Sequence, residues 1–441
     1  MSAIASVLTS MGHAVSGSDL KASPGLERLR AQGVSVTVGH DAALVEGVDV
    51  VAASTAIPIA NPEVVAAAAQ GTAVLRRAEI LSAIAGTRRC LAVSGTHGKT
   101  TTASMLALVL VAAGRRPSFL VGGELNEIGA GAVWDGGDWF VVEADESDGT
   151  FVELGAERVV VTNVDVDHLD FYGDLAAIEV AFDRFLASAV GPNIVCADDP
   201  GSRALAARHG AVTYGTHASA DLRMHDVVTG RSSVRFGLTR GPETLGEVHL
   251  PVPGLHNARN ATAAIAAALE LGVPFAGARD ALGRYAGVAR RFEFRGELAG
   301  VTFVDDYAHN PGKVAAVLAA AAGGSWRRVV AVFQPHRYSR TAALWREFGP
   351  AFADADVAVL TEVFAAGEAP RPGVTGRLLV ASVLEASPYK RVAYLPHRPD
   401  VVRYLADELR AGDLCLTLGA GDITSLGDEV RLAMTSRAGA R

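Results

Sequence analysis

The run Leu91–Leu106, LAVSGTHGKTTTASML, constrains the fold more than any other part of the chain. An apolar strand delivers the backbone to a turn in which Gly95 and Gly98 carry no Cβ, so consecutive N–H groups can point at one anion. Lys99 and a row of threonines then open a helix, whose N-terminus adds partial positive charge. The common phosphate loop has a further glycine five residues before Gly98, and Val93 stands there instead. A shorter loop remains, Gly95-Thr96-His97-Gly98-Lys99-Thr100, continued by Thr101. Its physics predicts that Lys99 reaches outer phosphates and that Thr100 takes a Mg²⁺ bridging them. A strand that feeds a helix through such a loop belongs to a parallel α/β sheet.

Two more apolar runs end in acidic groups. Trp139–Val142 leads into Glu143-Ala144-Asp145-Glu146, and Val159–Val164 into Asp165-Val166-Asp167-His168. In a parallel sheet both would arrive on the edge that carries the loop. Mg²⁺ selects hard oxygen ligands, and His168 can join through a neutral ring nitrogen.

At 441 residues the chain exceeds one core, and its pattern separates into three stretches. Residues 1–88 alternate helical and strand-like pieces, one of which ends in Ser16-Gly17-Ser18-Asp19; there Asp19 serves either to bind a ribose or base, or as a turn or cap residue. Residues 89–291 hold the loop, the acidic strand ends and Asn257 and Asn260. These two asparagines sit three apart in one helical turn, placed either to cap it or to read a purine edge. Residues 292–441 alternate again, as a second doubly wound sheet whose loops carry Asp306 and the run Gln334-Pro335-His336-Arg337-Tyr338-Ser339-Arg340. One histidine and two arginines so spaced form a grip for a carboxylate or phosphate.

A formal net charge of -8 argues against nucleic acid as the main partner. No apolar run approaches the roughly 20 residues of a membrane span, and the first residues lack a basic start followed by an apolar core, so a cytoplasmic protein without membrane insertion is expected. Cys90, Cys196 and Cys415 lie far apart and indicate neither a disulfide framework nor a zinc site. The oligomeric state is left open between monomer and homodimer.

Taken together, the Gly-Thr-His-Gly-Lys-Thr loop, Glu-Ala-Asp-Glu-Ser-Asp, His-Asn-x-x-Asn-Ala and Gln-Pro-His-Arg-Tyr-Ser-Arg-Thr resemble the Mur ligase family of ATP-dependent amide-bond-forming enzymes. The resemblance implies an α/β chain of three domains: a Rossmann-like one for a UDP-sugar, a central P-loop ATPase type and a carboxyl-terminal Rossmann-like one that brings the amino acid. It implies UDP-N-acetylmuramate and L-alanine as substrates, ATP and Mg²⁺ as cofactors, and an acyl phosphate between them. Lys99, Glu143, His168 and Arg291 would be the catalytic set, with Thr100, Glu143 and His168 on the metal. Gly95 to Thr101 would line the ATP phosphates, Asn257 and Asn260 its adenine, Arg291 the γ-phosphate and Asp306 the ribose. Asp19 would face the UDP-sugar, and His336, Arg337 and Arg340 the amino acid. Position 310 is commonly histidine in the family and is Asn310 here. Relatives also begin with a strand and a loop resembling Gly-x-Gly-Gly-x-Gly-Met-Ser, whose last two residues Met1-Ser2 match, so the first domain is expected to lack its first strand. Two other readings stay open: a ligase that attaches a whole recycled peptide to the same sugar, and a nucleotide-binding regulator without ligase activity.

Overall fold

The computed structural model describes residues 1–54 and 57–438. By its contacts the chain forms two compact units. One comprises Met1–His225, Gly237–Val248 and Arg259–Arg284; the other comprises Asp226–Phe236, His249–Ala258 and the chain from Tyr285 onward.

The first unit opens with the helix Ser2–Ser10 and two parallel strand pairs, Ser16–Asp19 with Ser35–Val38 and Val50–Ala53 with Ala73–Arg76. The expected parallel pairing is therefore present, as two pairs and not as one continuous sheet. The intervening helices start where caps dictate. Ser23 accepts from the Leu26 N–H ahead of Pro24–Ala31, Asn61 accepts from the Glu63 N–H ahead of Pro62–Gln70, and each helix has proline in its first turn.

The main sheet has ten strands, seven of them wholly in this unit, in the order Glu243–Leu250, Val234–Arg240, Leu222–Thr229, Val212–Gly215, Ile194–Cys196, Arg158–Val161, Arg89–Ser94, Trp139–Glu143, Ser118–Leu125, Ala130–Val133. Pairing is parallel from Leu222–Thr229 to Ser118–Leu125, and Ala130–Val133 closes the edge antiparallel. Leu91, Ala92 and Val93 are fully buried, as a strand covered on both faces requires. Helix Lys99–Ala112 is buried all round from Thr100 to Leu110, which explains its apolar circumference. Its strand and helix neighbours share a core with Ile4, Val7, Leu81 and Ile84 from the amino-terminal helices. The strands Leu222–Thr229, Val234–Arg240 and Glu243–Leu250 have no counterpart in the sequence reading.

In the second unit a six-stranded sheet runs Glu293–Leu298, Val301–Asp306, Asp413–Leu418, Arg328–Phe333, Val357–Leu360, Arg391–Tyr394. Only the first pair is antiparallel. Separate apolar clusters cover its two faces, one around Phe333, Phe348 and Phe352 and the other around Phe303, Val330 and Leu405, which is the doubly wound arrangement expected. All three cysteines are buried and unpaired, and burial pushes the Cys90 and Cys415 thiols up to about 12.

Candidate functional site

Register assembles the site in the first unit. Val93 lies opposite Glu143 and Ser94 opposite Val161, so three parallel strands end together and release their loops on one edge. The loop out of Ser94 is held from outside. Asn163 accepts the Thr96 N–H through its carbonyl at 3.2 Å and the His97 N–H through Oδ1 at 2.9 Å. The Thr162 hydroxyl donates to the carbonyls of Ser94 and His97, and Thr96 and Asp165 bond each other twice. Gly95 has φ +131° and Gly98 has φ +85°. A Cβ on the first would strike Thr162 Oγ1, and one on the second would strike Asn260 Oδ1. Asn260 thus lies directly against the loop.

Lys99, expected to reach outer phosphates, is largely buried. Its Nζ donates to the Gly95 carbonyl at 2.7 Å and to Glu146 Oε1 at 2.8 Å, with the lysine 11 % and the glutamate 2 % exposed. Burial opposes its charge, but the carboxylates of Glu146, Asp145 and Glu143 outweigh that and raise its pKa. Beside it, Thr100 donates to Glu143 Oε1 at 2.9 Å while the Gly122 N–H donates to Glu143 Oε2 at 2.6 Å, which fixes that carboxylate at both oxygens. Thr101 is buried in the same helical turn.

His168 stands with its Nε2 3.7 Å from Glu146 Oε1, on a left-handed backbone (φ 52°) that is uncommon outside glycine. Ligand atoms of Asp145, Glu146 and His168 lie within 4.8 Å of one another. Burial works to raise the Asp145 carboxyl, but Lys99 and the Ser147 N–H hold it below the usual range. Two groups of donors therefore meet at this edge: Thr100 with Glu143, and Asp145 and Glu146 with His168. Hard oxygens and one imidazole are a donor set suited to Mg²⁺. His97, by contrast, faces Asp165 at 3.6 Å, and its buried Nδ1 has no hydrogen-bond partner among the described residues.

The remaining expected residues fall elsewhere. Asp19 is exposed and accepts from the Lys21 N–H at 3.2 Å. Next to it is a cluster that the sequence did not announce, with Ser18 Oγ donating to Glu63 at 2.6 Å and His40 Nδ1 2.9 Å from both. It joins two strand ends and one helix start from positions 18, 40 and 63, and only the Ser-Gly-Ser-Asp strand end marked the place.

Asn257, Arg291, Asp306, His336, Arg337 and Arg340 belong to the second unit. Asn257 is buried, and its amide donates to the Pro253 carbonyl at 2.7 Å. Asp306 accepts the N–H groups of Phe292 and Ala308, both at 2.7 Å. Burial raises its carboxyl despite these bonds and the nearby Arg291, which also lies over the Tyr307 ring at 5.3 Å. Asn310 caps the helix Pro311–Ala322 by accepting from the Lys313 N–H, so asparagine has a structural use at that position.

Around His336, Arg340 donates to Nδ1 at 3.2 Å, and the ring stacks on Phe364 at 5.7 Å with 12° between planes. Arg337 has φ 71° and is clamped by its N–H to the Phe364 carbonyl. Glu368 takes both the N–H and the hydroxyl of Ser339. Burial first, then Arg340 and Arg337, lower the His336 pKa to about 4, and burial drives His309 well below its ordinary value. Both rings are neutral in the folded chain at pH 7. Since the unfolded chain takes up these protons first, their contribution is fully present above about pH 6.5 and is lost as pH falls towards 4. Asp306 acts in the opposite sense, so the diagnostic is a difference between proteins. Denaturant midpoints of the wild type should fall more steeply between pH 7 and 5 than those of His336→Asn; parallel slopes would refute a buried neutral His336.

Family models match almost the whole chain: Mur ligase family, catalytic domain, over residues 1–89; Mur ligase middle domain over 93–268; and Mur ligase, glutamate ligase domain, over 290–421. The UDP-N-acetylmuramate--L-alanine ligase of Desulfosudis oleivorans is 45% identical, over 98% of this chain and 95% of its own length. That of Acidothermus cellulolyticus is 47% identical, over 97% and 91%. The crystal structure of UDP-N-acetylmuramate-alanine ligase from Thermotoga maritima superposes with a TM-score of 0.84 at 27% identity, covering 99% of this chain and 97% of that one.

Proposed function

The chain belongs to the Mur ligase family, and from that premise we propose that it joins L-alanine to the carboxylate of UDP-N-acetylmuramate, with ATP converted to ADP and phosphate, in the making of peptidoglycan precursors. The observation that carries this reading is the convergence of three parallel strand ends on Lys99, Thr100, Glu143, Asp145, Glu146 and His168.

Carboxylate and amine do not condense in neutral water. The γ-phosphoryl group first passes to a carboxylate oxygen, giving an acyl phosphate and ADP. The amine of L-alanine then attacks the acyl carbon, the bond to the phosphate oxygen breaks, phosphate leaves, and the amine's proton goes to solvent. In the first step two anions must approach each other, so charge offset is the main demand on the protein. Lys99 and Arg291 would supply it at the γ-phosphate, with the Gly95–Thr101 loop around the chain of phosphates, through N–H groups other than those of Thr96 and His97, which Asn163 takes. Thr100, Glu143 and His168 would hold Mg²⁺, which when bound screens the phosphate oxygens. Asn257 and Asn260 would read the adenine edge and Asp306 the ribose, while Asp19 would face the UDP-sugar. His336, neutral, with Arg337 and Arg340 would receive the amino acid: the guanidinium groups take its carboxylate and the ring leaves its amine uncharged company. Residues 1–88, 89–291 and 292–441 are assigned the sugar, the nucleotide and the amino acid in turn. Among the described residues no helix is long and apolar enough to cross a membrane. The use of ATP as substrate supports a cytoplasmic reaction.

The test is phosphate release from ATP with UDP-N-acetylmuramate, comparing L-alanine, other amino acids and L-Ala-γ-D-Glu-diaminopimelate. L-Alanine should support turnover best. Turnover with the tripeptide alone would hand the assignment to a peptide-attaching ligase, and none with either would leave a nucleotide-binding protein. Within the same assay, Glu143→Ala and His168→Ala should each raise the Mg²⁺ needed for half-maximal rate by about tenfold or more. Equal Mg²⁺ curves for variants and wild type would remove both from the metal.

A further inference from the structure

The loop that carries His336, Arg337 and Arg340 is shaped from outside. Arg337, the cap residue of helix Tyr338–Leu344, has φ 71° and ψ 136°, a conformation that side chains rarely adopt and that persists only where the surroundings impose it. Its carbonyl accepts the N–H and the hydroxyl of Thr341, at 3.1 and 2.8 Å, but its side chain makes no capping bond to the first turn. A second segment supplies what is missing. Phe364 bridges His336 in parallel register: its N–H donates to the Pro335 carbonyl and its carbonyl accepts the Arg337 N–H, both at 2.8 Å. The chain then turns back through Ala366 (φ 49°) and Gly367 (φ 88°), with the Glu368 N–H donating to the Ala365 carbonyl at 3.0 Å. This turn brings the Glu368 carboxylate to the helix start, where one oxygen accepts the Ser339 N–H at 2.9 Å and the other accepts the Ser339 hydroxyl.

A carboxylate suits that task, because it only accepts and can do so at both oxygens, and a negative charge is favourable at a helix N-terminus. Burial works to raise the Glu368 carboxyl, but the Ser339 hydroxyl and N–H, then Arg337 and Arg371, hold it below the usual range, so it is ionised at neutral pH. Ser339 stands between Arg337 and Arg340, so whatever fixes it fixes the placing of both. We propose that Glu368 is a positioning residue of the amino-acid site: by gripping Ser339 at two groups, it sets the helix start from which Arg337 and Arg340 present their guanidinium groups to the substrate carboxylate. This rests on the assignment of His336, Arg337 and Arg340 to L-alanine. Since both of its oxygens face Ser339, Glu368 acts through that residue and not on the substrate.

The experiment compares Glu368→Ala and Glu368→Gln in the full-length protein by two readouts. In the phosphate-release assay, Glu368→Ala should raise the Michaelis constant for L-alanine about tenfold or more and leave that for ATP within about twofold, which also shows that the variant is folded. Glu368→Gln keeps an acceptor for the Ser339 N–H and offers its amide to the hydroxyl oxygen, so it should recover most of the loss. The second readout needs no substrate: the ring signal of His336 in proton NMR, identified as the one missing from His336→Asn. In the wild type and in Glu368→Gln it should stay still between about pH 7.5 and 5.5, whereas in Glu368→Ala the loosened loop admits water and the ring should titrate near the ordinary value of about 6.5. The charged groups that act on the ring are Arg340, Arg337, Glu368 and Arg290, and loss of the Glu368 charge alone would lower its pKa, so a rise reports lost position. A still His336 signal in Glu368→Ala, an unchanged alanine constant there, or a glutamine variant as impaired as the alanine one overturns the proposal. If that signal titrates in Glu368→Ala while the wild type makes no use of L-alanine, the grip on the loop stands and the functional reading falls.

Discussion

Replacing Lys99 with alanine should lower the turnover number by about 10² to 10³ and, at the same time, destabilise the first unit by about 3 kcal/mol. The first effect follows from the lysine's position at the start of the helix behind the loop, where it would offset charge on the transferred phosphoryl group. The second follows from the contact with Glu146. With only 2% of that residue exposed, removal of the ammonium leaves a carboxylate buried beside Asp145 and without its 2.8 Å donor. The two effects can be separated, because Lys99→Ala with Glu146→Gln removes the orphaned charge as well as its partner. The double variant should regain most of the stability and none of the turnover. Normal turnover in Lys99→Ala would refute the site assignment, and unchanged denaturant midpoints would refute the buried pair.

Gly95→Ala should be nearly as damaging, through geometry instead of charge. The added Cβ meets Thr162 Oγ1 and lies 3.0 Å from both N and O of Asn163, on a backbone at φ +131° that side chains rarely adopt. Crowding costs about 1–3 kcal/mol and backbone strain a similar amount. Relief requires moving Thr162 and Asn163, the residues that hold Thr96 and His97 in place, so the loop loses its shape. The Michaelis constant for ATP should rise about 100-fold. Gly155→Ala is the matched control: it too has positive φ (61°), but open space surrounds its Cβ, so it should cost stability of about 1 kcal/mol and leave the ATP constant alone. If both variants behaved alike, strain and not the Thr162 contact would govern the loop.

What the sequence disclosed depended on how local the cause was. The loop at Gly95 was legible because strand, glycines, lysine and helix are contiguous, and the alternation after Val301 because each strand is a short apolar run. Partners were not. Glu146 meets Lys99 across 47 positions, and Asn163 meets His97 across 66, contacts that only the sheet order creates. Likewise Ser18, His40 and Glu63 are three ordinary polar residues until two strand ends and a helix start bring them within 3 Å. The strands from Leu222 to Leu250 went unread for a different reason. Their buried residues alternate with exposed ones, as at Val234, Phe236 and Leu238, and that period-two signal is weaker to the eye than a continuous apolar run, although it was there.

The buried cysteines give the molecule built-in reporters. Burial pushes the Cys90 and Cys415 thiols up to about 12 and raises the Cys196 thiol as well, and none of the three is accessible, so an alkylating reagent waits for the surrounding strand to open. Cys90 and Cys196 lie in the first unit and Cys415 in the second. Labelling rates resolved by peptide mass therefore clock the opening of each unit separately in the unaltered chain, and a nucleotide that tightens the strand behind the loop would show itself as slower modification at Cys90 than at Cys415.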